Sequence, residues 1–374
     1  MAAPVKINVA IVGLGFGKEF ISIYQNHPNV GKVAICARTP STVKEFGDKH
    51  GIPEDLRFTN FEDILTRKDI DAIHIMSPIL DHASQSIASL EAGKHTACTV
   101  PMATSVDECI AIVRASKKTG KNYMMMETAI YTREFLYVKD LAESGKLGRI
   151  QFVRGSHLQD MGLKGWPEYW IGFPPMHYGT HAISPLLCIN KTIAESVVCH
   201  GSGSISQERA AKYGSPFAVE TATFKLKDSN VIAEATRALY ETVRQYRESF
   251  DVYGDKMAFE WEQIADEGNV LFEGGEQARR VDVPDADRLL PSEIAQFTRR
   301  EKIEDVKHVS FIQGAGHGGS HPHLVHEFIS SIVEGRDAAV NAEISANYTC
   351  AGICAHESAL QGGARIVIPD FTKV

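Results

Sequence analysis

The first 126 residues alternate short apolar strands with helices, and this rhythm constrains the fold more than any other feature of the sequence. Strand-like and helical runs follow one another at 6–12, 18–26, 32–37, 41–50, 71–76, 81–92, 94–98, 105–119 and 121–126. Alternation of this kind predicts a parallel sheet with helices on both faces. Gly13, Gly15 and Gly17 directly follow the first strand, where their backbone amides can approach a pyrophosphate. We therefore predict a dinucleotide-binding Rossmann domain over residues 1–128.

The rhythm changes from residue 131 onward. A predicted helix at 131–144 is followed by strand-like segments at 150–158, 193–201, 218–226, 231–238, 249–253 and 257–262. Consecutive strands with few helices between them indicate a large, mostly antiparallel open sheet. We predict an α/β chain whose second domain, of α+β type, spans 129–374. Helices are expected at 323–334 and 342–359, with 344–360 packing back on the first domain and 277–307 forming a surface excursion.

Length, charge and cysteine usage narrow the possible functions. At 374 residues the chain exceeds the size that one core usually organises, which agrees with two domains. Its formal net charge of -8 comes from interspersed acidic and basic residues, so no basic face is offered to nucleic acid or to an anionic membrane. No apolar run approaches the roughly 18 residues of a membrane span, and strand-like sequence begins too early for a cleaved signal. Seven cysteines without a CxxC pair favour a reducing compartment, so we expect a cytoplasmic protein.

The residues after the second strand bear on the choice of cofactor. NAD enzymes usually place an acidic residue there, which binds the ribose hydroxyls of the adenosine. Here the sequence is Ala37-Arg38-Thr39, and an arginine beside a hydroxyl can accept the 2′-phosphate of NADP. Arg38 can equally stack on the adenine of NAD. The sequence predicts NAD or NADP, with a slight lean towards NADP.

Four motifs together resemble one known family. They are GLGFGK at 13–18, MSPILDH at 76–82, EAGKHTACTVPMA at 91–103 and HYGTHAISP at 177–185. The resemblance is to the glucose–fructose oxidoreductase, inositol dehydrogenase and rhizopine-catabolism (Gfo/Idh/MocA) family. It implies a small sugar, polyol or glycoside bound between the two domains, and a homodimer or homotetramer formed through the open sheet. The cofactor contacts that it implies are Gly13, Gly15, Phe16, Gly17, Arg38, Thr39, Ser77, Pro78, His82, Thr99 and Pro101.

The chain departs from the family pattern at two places. The family's Glu-Lys-Pro after the fourth strand is Thr99-Val100-Pro101 here, and its Asp-x-x-x-His pair is His177 with His181. A valine before the proline is also found in a branch of NAD-dependent glycosidases acting on α-N-acetylgalactosaminides. That branch has an acidic residue that Glu127 resembles and a tyrosine that aligns with His157. Its Tyr/Pro-Thr-His segment is similar in part to residues 178–181.

Histidines supply the predicted acid–base chemistry. Hydride transfer from a secondary alcohol needs a base for the hydroxyl proton, and a histidine titrates near the working pH. We predict His181 as that base and His177, one helical turn earlier, as its neighbour on the same face. The full predicted catalytic set is His181, His177, His157 and Glu127. Substrate contacts are predicted at Val100, Trp166, Tyr178 and His317, and no metal site is expected.

Three functions remain open at this point. The first is an NAD(P)-dependent oxidoreductase acting on a sugar or polyol. The second is an NAD-dependent glycosidase or lyase, in which a transient ketone at sugar carbon 3 acidifies carbon 2 and a base such as His157 drives elimination. The third is a catalytically silent dinucleotide-binding regulator, which the missing lysine at position 100 favours. The histidine-rich stretch 314–328 is expected to form a loop that closes over the cleft.

Overall fold

The computed structural model describes residues 5–163, 165–244, 246–274, 277–299 and 315–374. Its first sheet contains β1 (Ile7–Val12), β2 (Val30–Cys36), β3 (Arg57–Phe58), β4 (Ala72–Ile75), β5 (His95–Cys98) and β6 (Tyr123–Met125). The helices of this region are α1 (Leu14–Gly17), α2 (Ile21–Asn26), α3 (Pro40–Lys49), α4 (Phe61–Leu65), α5 (His82–Glu91) and α6 (Val106–Thr119). The strands run parallel in the order β3-β2-β1-β4-β5-β6, which confirms the predicted Rossmann architecture.

Local sequence accounts for these elements. Strand β4 is buried along its whole length, as expected for a central strand covered by helices on both faces. Helix α6 begins where the side chain of Ser105 accepts a hydrogen bond from the backbone amide of Glu108. It ends at Gly120, whose left-handed backbone conformation suits glycine. These start and stop signals place the helix close to its predicted bounds.

The predicted helix at 18–26 is wrong in its boundaries. The structure has a four-residue helix α1 that contains Gly15 and Gly17, then a turn, and only then α2. Glycine weakens a helix because it loses the most backbone freedom on folding. The helical turn at the glycine segment is therefore short, and the chain passes through a turn before α2 begins at Ile21.

The second sheet contains nine strands, which are β7 (Ile150–Gln159), β8 (Ala194–Ser202), β9 (Val219–Leu226), β10 (Ile232–Ala238), β11 (Tyr246–Gly254), β12 (Ala258–Glu260), β13 (Asn269–Phe272), β14 (Ala278–Val281) and β15 (Ile366–Val367). The remaining α-helices of the described chain are α7 (Arg133–Glu143), α8 (Thr180–Ile189), α9 (Gln207–Tyr213), α10 (Ser292–Ala295), α11 (Ala315–Gly319), α12 (His321–Glu334) and α13 (Ala342–Leu360). The strand order is β14-β13-β12-β11-β7-β10-β9-β8-β15, and only β7 and β10 pair in parallel. The prediction of a large, mostly antiparallel sheet is confirmed.

Helix α13 connects the two sheets. The hydroxyl of Thr349 accepts a hydrogen bond from the amide of Met102 at 3.3 Å, beside the first sheet. On its other side, the side-chain amide of Asn347 accepts a hydrogen bond from the backbone N–H of Ala194 and donates one to its carbonyl oxygen, at the start of β8. The helix therefore contacts a loop of the first sheet on one side and the second sheet on the other. Cys350 and Cys354 are buried in it, and the seven cysteines form no disulfide among the described residues.

Two expectations for the C-terminal half need correction. Within the predicted excursion 277–307, residues Ala278–Val281 form an edge strand, and 300–307 lie outside the described residues. The predicted loop at 314–328 is helical from Ala315 onward, although residue 314 itself is not described. Pro322 occupies the first turn of α12, where its fixed backbone angle favours a helix start, and the apolar residues behind it face the core. In the described part of the chain, no helix combines the length and apolar character needed to cross a membrane.

Candidate active site

The three glycines after β1 have three different surroundings. Gly13 has a φ of 97°, and a Cβ there would lie 2.3 Å from the carbonyl oxygen of Met76. A Cβ on Gly17 would lie 2.9 Å from a methyl group of Ile11, so this glycine lets the first helical turn pack on the strand. A Cβ on Gly15 would meet no described atom within 4 Å. The turn thus presents open backbone at Gly15, and this cradle fits a pyrophosphate.

The other predicted cofactor residues surround this turn. Arg38 and Thr39 follow β2, and both are exposed. Ser77 and Pro78 follow β4, and Thr99 and Pro101 follow β5, so all of them lie at the carboxyl edge of the parallel sheet. Ligands of such sheets bind at this edge, where the strand order reverses. In this fold the reversal falls between β1 and β4.

His82 lies between two loops that border the predicted cofactor site. Its Nδ1 lies 2.7 Å from the carbonyl oxygen of Pro101, and its Nε2 lies 3.0 Å from the carbonyl oxygen of Ser77. Burial lowers the pKa of the imidazole, and a neutral ring has one N–H to donate to one of these two carbonyls. The contact of His82 with the cofactor stays a prediction.

A cluster of ionisable side chains lies beyond the end of β6. We call it the histidine cluster, and it consists of Glu127, His157, His181 and Glu248. The Nδ1–H of His181 donates to Glu127 Oε1 at 2.6 Å. His157 Nε2 and His181 Nε2 lie 3.6 and 4.0 Å from Glu248 Oε1. The four residues come from the end of β6, from β7, from α8 and from β11, so the tertiary fold assembles the cluster.

Charges within the cluster determine which groups carry protons. Burial opposes the charged form of His181, but the carboxylates of Glu127 and Glu248 outweigh burial and raise its pKa. Burial and the neighbouring Arg237 guanidinium hold the pKa of His157 well below its usual value. Burial alone raises the pKa of Glu248, whereas His181 and other neighbours bring it below its ordinary value. The cluster thus contains one basic imidazole, His181, and one neutral imidazole, His157.

Several polar atoms of the cluster face no partner within the described chain. Neither ring nitrogen of His157 has a hydrogen bond, although the side chain is 1% exposed. Glu127 Oε2 is also unpartnered. Buried polar groups usually have partners, because an unsatisfied one costs about 1–3 kcal/mol. These atoms are therefore well suited to bind the hydroxyl groups of a substrate.

The predicted partnership of His177 with His181 is wrong in its geometry. His177 lies in a short 3-10 helix, Pro175–Tyr178, that ends before α8 begins at Thr180. The two histidines therefore do not share one helical face. The ring of His177 packs against that of His356, 5.0 Å between centroids, on the side of α13.

The predicted substrate residues fall into different settings. Tyr178 belongs to the site, since its hydroxyl lies 3.4 Å from His181 Nε2. Val100 is buried in the main hydrophobic core, just before the cis peptide bond to Pro101. Trp166 packs edge-on against Trp170 in a smaller apolar cluster, with centroids 6.1 Å apart. Of these three, only Tyr178 contacts the catalytic candidates directly.

His317 links the histidine cluster to the glycine turn. Its ring centroid lies 6.3 Å from that of His181, and its Nδ1 lies 3.0 Å from Nε2 of His321. His321 Nδ1 in turn lies 3.5 Å from a carboxylate oxygen of Glu19, in the turn between α1 and α2. Phe16 packs edge-on against both histidine rings. Burial lowers the pKa of His317 to about 4.

The cluster also has the spacing of a possible cation site. Three side chains, those of His157, His181 and Glu248, each offer one ligand atom. These three atoms lie within 4.8 Å of one another. However, Glu248 Oε1 already accepts the hydroxyl hydrogen of Tyr246 at 2.5 Å. Burial opposes the charge of Glu248, and the Arg237 guanidinium is among the neighbours that lower the pKa of this carboxyl. We therefore interpret the cluster as acid–base machinery, and the expectation of no metal site stays a prediction.

Glu248, Tyr246 and Glu19 are not among the residues that the sequence pointed to. The predicted strand at 249–253 began one residue after Glu248, whereas β11 starts at Tyr246. Glu248 pairs with His157 across β7 and β11. The sequence did contain a signal for Glu248, since it is an acidic residue with an apolar residue two positions before it and another two positions after it along the strand.

The glycine turn at the carboxyl edge of a parallel sheet defines a class, that of proteins with a dinucleotide-binding Rossmann fold. Residues 7–127 match the model of an oxidoreductase family with an NAD-binding Rossmann fold, named GFO_IDH_MocA. These residues are similar to that family, and the resemblance read from the motifs is confirmed.

The curated relatives found by sequence cover part of the chain. A glycosyl hydrolase family 109 protein of Bacteroides fragilis is 29% identical over 195 residues, which is 48% of this chain and 42% of the relative. One from Shewanella pealeana is 29% identical over 198 residues, with 48% of this chain and 43% of the relative covered. The chain thus matches less than half the length of these relatives.

Solved structures share the whole fold at low identity. A levoglucosan dehydrogenase in complex with NADH and levoglucosan has a TM-score of 0.77 and 19% identity, and covers 97% of this chain and 100% of its own. The scyllo-inositol dehydrogenase of Lactobacillus casei, solved with NAD(H) and scyllo-inositol, has a TM-score of 0.71 and 19% identity, with 97% and 99% covered. These likenesses support the two-domain fold.

Proposed function

We propose that this protein is an NAD(P)-dependent oxidoreductase that oxidises a secondary hydroxyl of a sugar or polyol. The pair of His181 and Glu127, 2.6 Å apart beyond the carboxyl end of β6, is the observation that carries the proposal. A buried histidine whose pKa two carboxylates raise is suited to act as a general base. Sugar or polyol chemistry is supported by the neighbours named levoglucosan dehydrogenase and scyllo-inositol dehydrogenase.

Each residue of the cluster has a defined task in this reaction. His181 Nε2 takes the hydroxyl proton, while Glu127 holds the proton on Nδ1 and so fixes the tautomer. The unpartnered nitrogens of His157 and the carboxylate of Glu248 bind neighbouring hydroxyls and orient the substrate. Tyr178 completes the wall beside His181 Nε2. The bound nicotinamide supplies the hydride acceptor.

We propose NADP as the preferred form of the cofactor. Arg38 is exposed after β2 and makes no ion pair or side-chain hydrogen bond with the described residues, so its guanidinium is free to bind a 2′-phosphate. Arg38→Ala should weaken NADP binding about tenfold and leave NAD binding nearly unchanged. Lys49→Ala, at an exposed position on α3, is the matched control. Equal losses for both cofactors would overturn the preference.

A second candidate function is redox-neutral cleavage of a glycoside. The relatives named glycosyl hydrolase family 109 favour it, and so does the neutral, buried His157, which stands 5.2 Å from the His181 ring between centroids. In this reaction His181 takes the proton of the hydroxyl at carbon 3, the hydride of carbon 3 would pass to the bound nicotinamide to leave a ketone, and His157 takes the acidified proton at carbon 2. The group at carbon 1 then leaves, and water adds to the resulting double bond before the ketone is reduced again.

One assay separates the two functions. Purified protein is incubated with a panel of sugars and aryl glycosides, while reduced nicotinamide and released aglycone are followed together. Accumulating NADH or NADPH identifies the oxidoreductase, and aglycone release without reduced nicotinamide identifies the glycosidase. His181→Asn should abolish whichever activity is seen. Cofactor binding without either activity would instead indicate the silent regulator.

We also propose that the second sheet mediates a homodimer or homotetramer. One of its faces carries α8 and α13, whereas alternate residues of β9, Thr221, Thr223 and Lys225, are exposed. A sheet face of this extent is suited to pack against a second copy. Light scattering coupled to gel filtration gives the mass, and a monomer at micromolar concentration would overturn this proposal.

A further inference from the structure

We propose that His317, His321 and Glu19 form a path that carries the proton of the oxidised hydroxyl from His181 to solvent. The inference rests on the proposed oxidoreductase function and extends it to residues of the first domain and of helices α11 and α12. The path begins in the histidine cluster and ends beside the glycine turn.

The chemistry requires an exit for one proton. Oxidation breaks the C–H and O–H bonds of the alcohol and forms a ketone. The hydride, with its electron pair, goes to the nicotinamide, and the proton of the hydroxyl goes to His181. His181 is 4% exposed, so bulk water reaches it poorly. Before another substrate can be oxidised, His181 must release this proton.

The two intermediate imidazoles are arranged as a relay. His317 uses Nδ1 towards Nε2 of His321, at 3.0 Å. His321 uses its other nitrogen, Nδ1, towards Glu19 Oε2, at 3.5 Å. An imidazole that accepts a proton on one nitrogen and releases one from the other returns to its starting charge. Opposite ring nitrogens of His321 therefore face the donor and the acceptor that a relay needs.

The first step crosses a gap between α8 and α11. The rings of His181 and His317 are 6.3 Å apart between centroids, a separation that one water molecule or substrate hydroxyl can bridge. His317 has a φ of 45°, a left-handed conformation that is uncommon for residues other than glycine. Such a conformation persists when the surrounding structure fixes it. Here the ring packs against Phe16 and pairs with His321.

Glu19 is the exit of the path. Its side chain is 33% exposed, whereas that of His321 is 3% exposed. The other titratable groups that face this region are His74 and Lys18. His74 Nδ1 lies 3.0 Å from the hydroxyl of Tyr24, and His74 Nε2 has no hydrogen bond with the described residues, so no hydrogen bond joins His74 to the relay. Among the described residues, Glu19 thus connects the buried imidazoles to water.

The path separates the two candidate reactions. Net oxidation releases one proton in each turnover, so its steady-state rate depends on the relay. Redox-neutral cleavage returns the proton to the substrate within the site and needs no net release. A loss confined to net oxidation is therefore the signature of this path.

The kinetic test uses Glu19→Gln and His321→Gln, with the exposed Glu45→Gln of α3 as control. Each relay variant should lower the steady-state rate of net oxidation about tenfold, and small buffers such as imidazole should restore it as their concentration rises. The first turnover should lose less than the steady state, and Glu45→Gln should match the wild type. A loss that no buffer restores, equal in first and later turnovers, would overturn the proposal.

A second measurement needs no substrate. In protein labelled with 15N-histidine, two-bond nitrogen–proton correlations report which nitrogen of each ring carries the proton. Glu19→Gln should change the tautomer or protonation signals of both His321 and His317, because the rings share one hydrogen-bonded chain. If His317 does not respond, the relay is refuted. A wild type without any net oxidation would refute the proposed function, and this measurement would then decide the relay by itself.

Discussion

The glycine turn and the histidine cluster are built in opposite ways. The turn is made by one short segment after β1, where Gly13 and Gly17 pack against β1 or the residues just after β4 and Gly15 stays open. The cluster takes four side chains from four elements that are distant in the chain, and two of them meet only because β11 pairs with β7. A site of the first kind can be recognised from a motif. A site of the second kind is fixed by register and packing, and changes within it test the tertiary structure.

The largest expected effect separates two histidines that the sequence places together. His181→Asn should lower kcat about 10³-fold because it removes the proposed base, while cofactor affinity stays near that of the wild type. His177→Asn should change kcat less than about threefold, since its ring faces His356 and not the cluster. Steady-state kinetics and cofactor titration measure both. Equal losses would show that the two histidines act as one pair.

The next prediction contrasts two glycines of the same turn. Gly13→Ala should lower the free energy of unfolding by about 3 kcal/mol, because its Cβ would overlap the Met76 carbonyl and its φ of 97° disfavours alanine. Gly15→Ala should leave stability nearly unchanged and weaken cofactor binding about tenfold, because its Cβ would project into the open cradle. Denaturant unfolding and fluorescence titration provide the measurements. A stability loss at Gly15 as large as at Gly13 would mean that the cradle is closed.

A third prediction concerns the pH dependence of the cluster. His181 must be neutral at Nε2 to accept a proton, so activity should rise with pH as the imidazolium loses its Nε2 proton. Because the pKa of His181 is raised, this rise should come at a higher pH than for an ordinary histidine. Glu127→Gln keeps an acceptor for Nδ1 but removes a charge that raises the pKa. The rise in kcat/KM should therefore move to lower pH, with the plateau lowered about tenfold. An unshifted profile would show that Glu127 does not set the protonation of His181.

The smallest expected effect concerns metal. The purified enzyme should contain well below one divalent ion per chain, and chelation should leave its rate unchanged. The Glu248 carboxylate already accepts the hydroxyl hydrogen of Tyr246 and lies near the Arg237 guanidinium. Elemental analysis of the wild type and of Glu248→Gln measures the content. A stoichiometric ion lost in the variant would identify His157, His181 and Glu248 as ligands, and the role of His181 as base would then be wrong.

Much of the fold follows from local sequence. Burial on both faces makes β4 a continuous apolar run, and Ser105 and Gly120 mark the ends of α6. Sequence patterns were less reliable where glycine and proline interrupt them. The segment after β1 forms two helices in place of one, and the stretch that begins at Ala315 is helical where a loop was expected. The first difference reflects the low helix propensity of glycine, and in the second the apolar residues of α12 pack against the core.

The sequence by itself determined the parallel sheet, the glycine turn and the identity of His181 as a candidate base, because strand rhythm, glycine spacing and short motifs are local properties. Only the tertiary structure decided which groups surround that base. It brought Glu127 and Glu248 to His181, turned His177 towards α13 and connected His317 through His321 to Glu19. The physical reason is that a pKa and a proton path depend on neighbours in space, and no spacing along the chain records them.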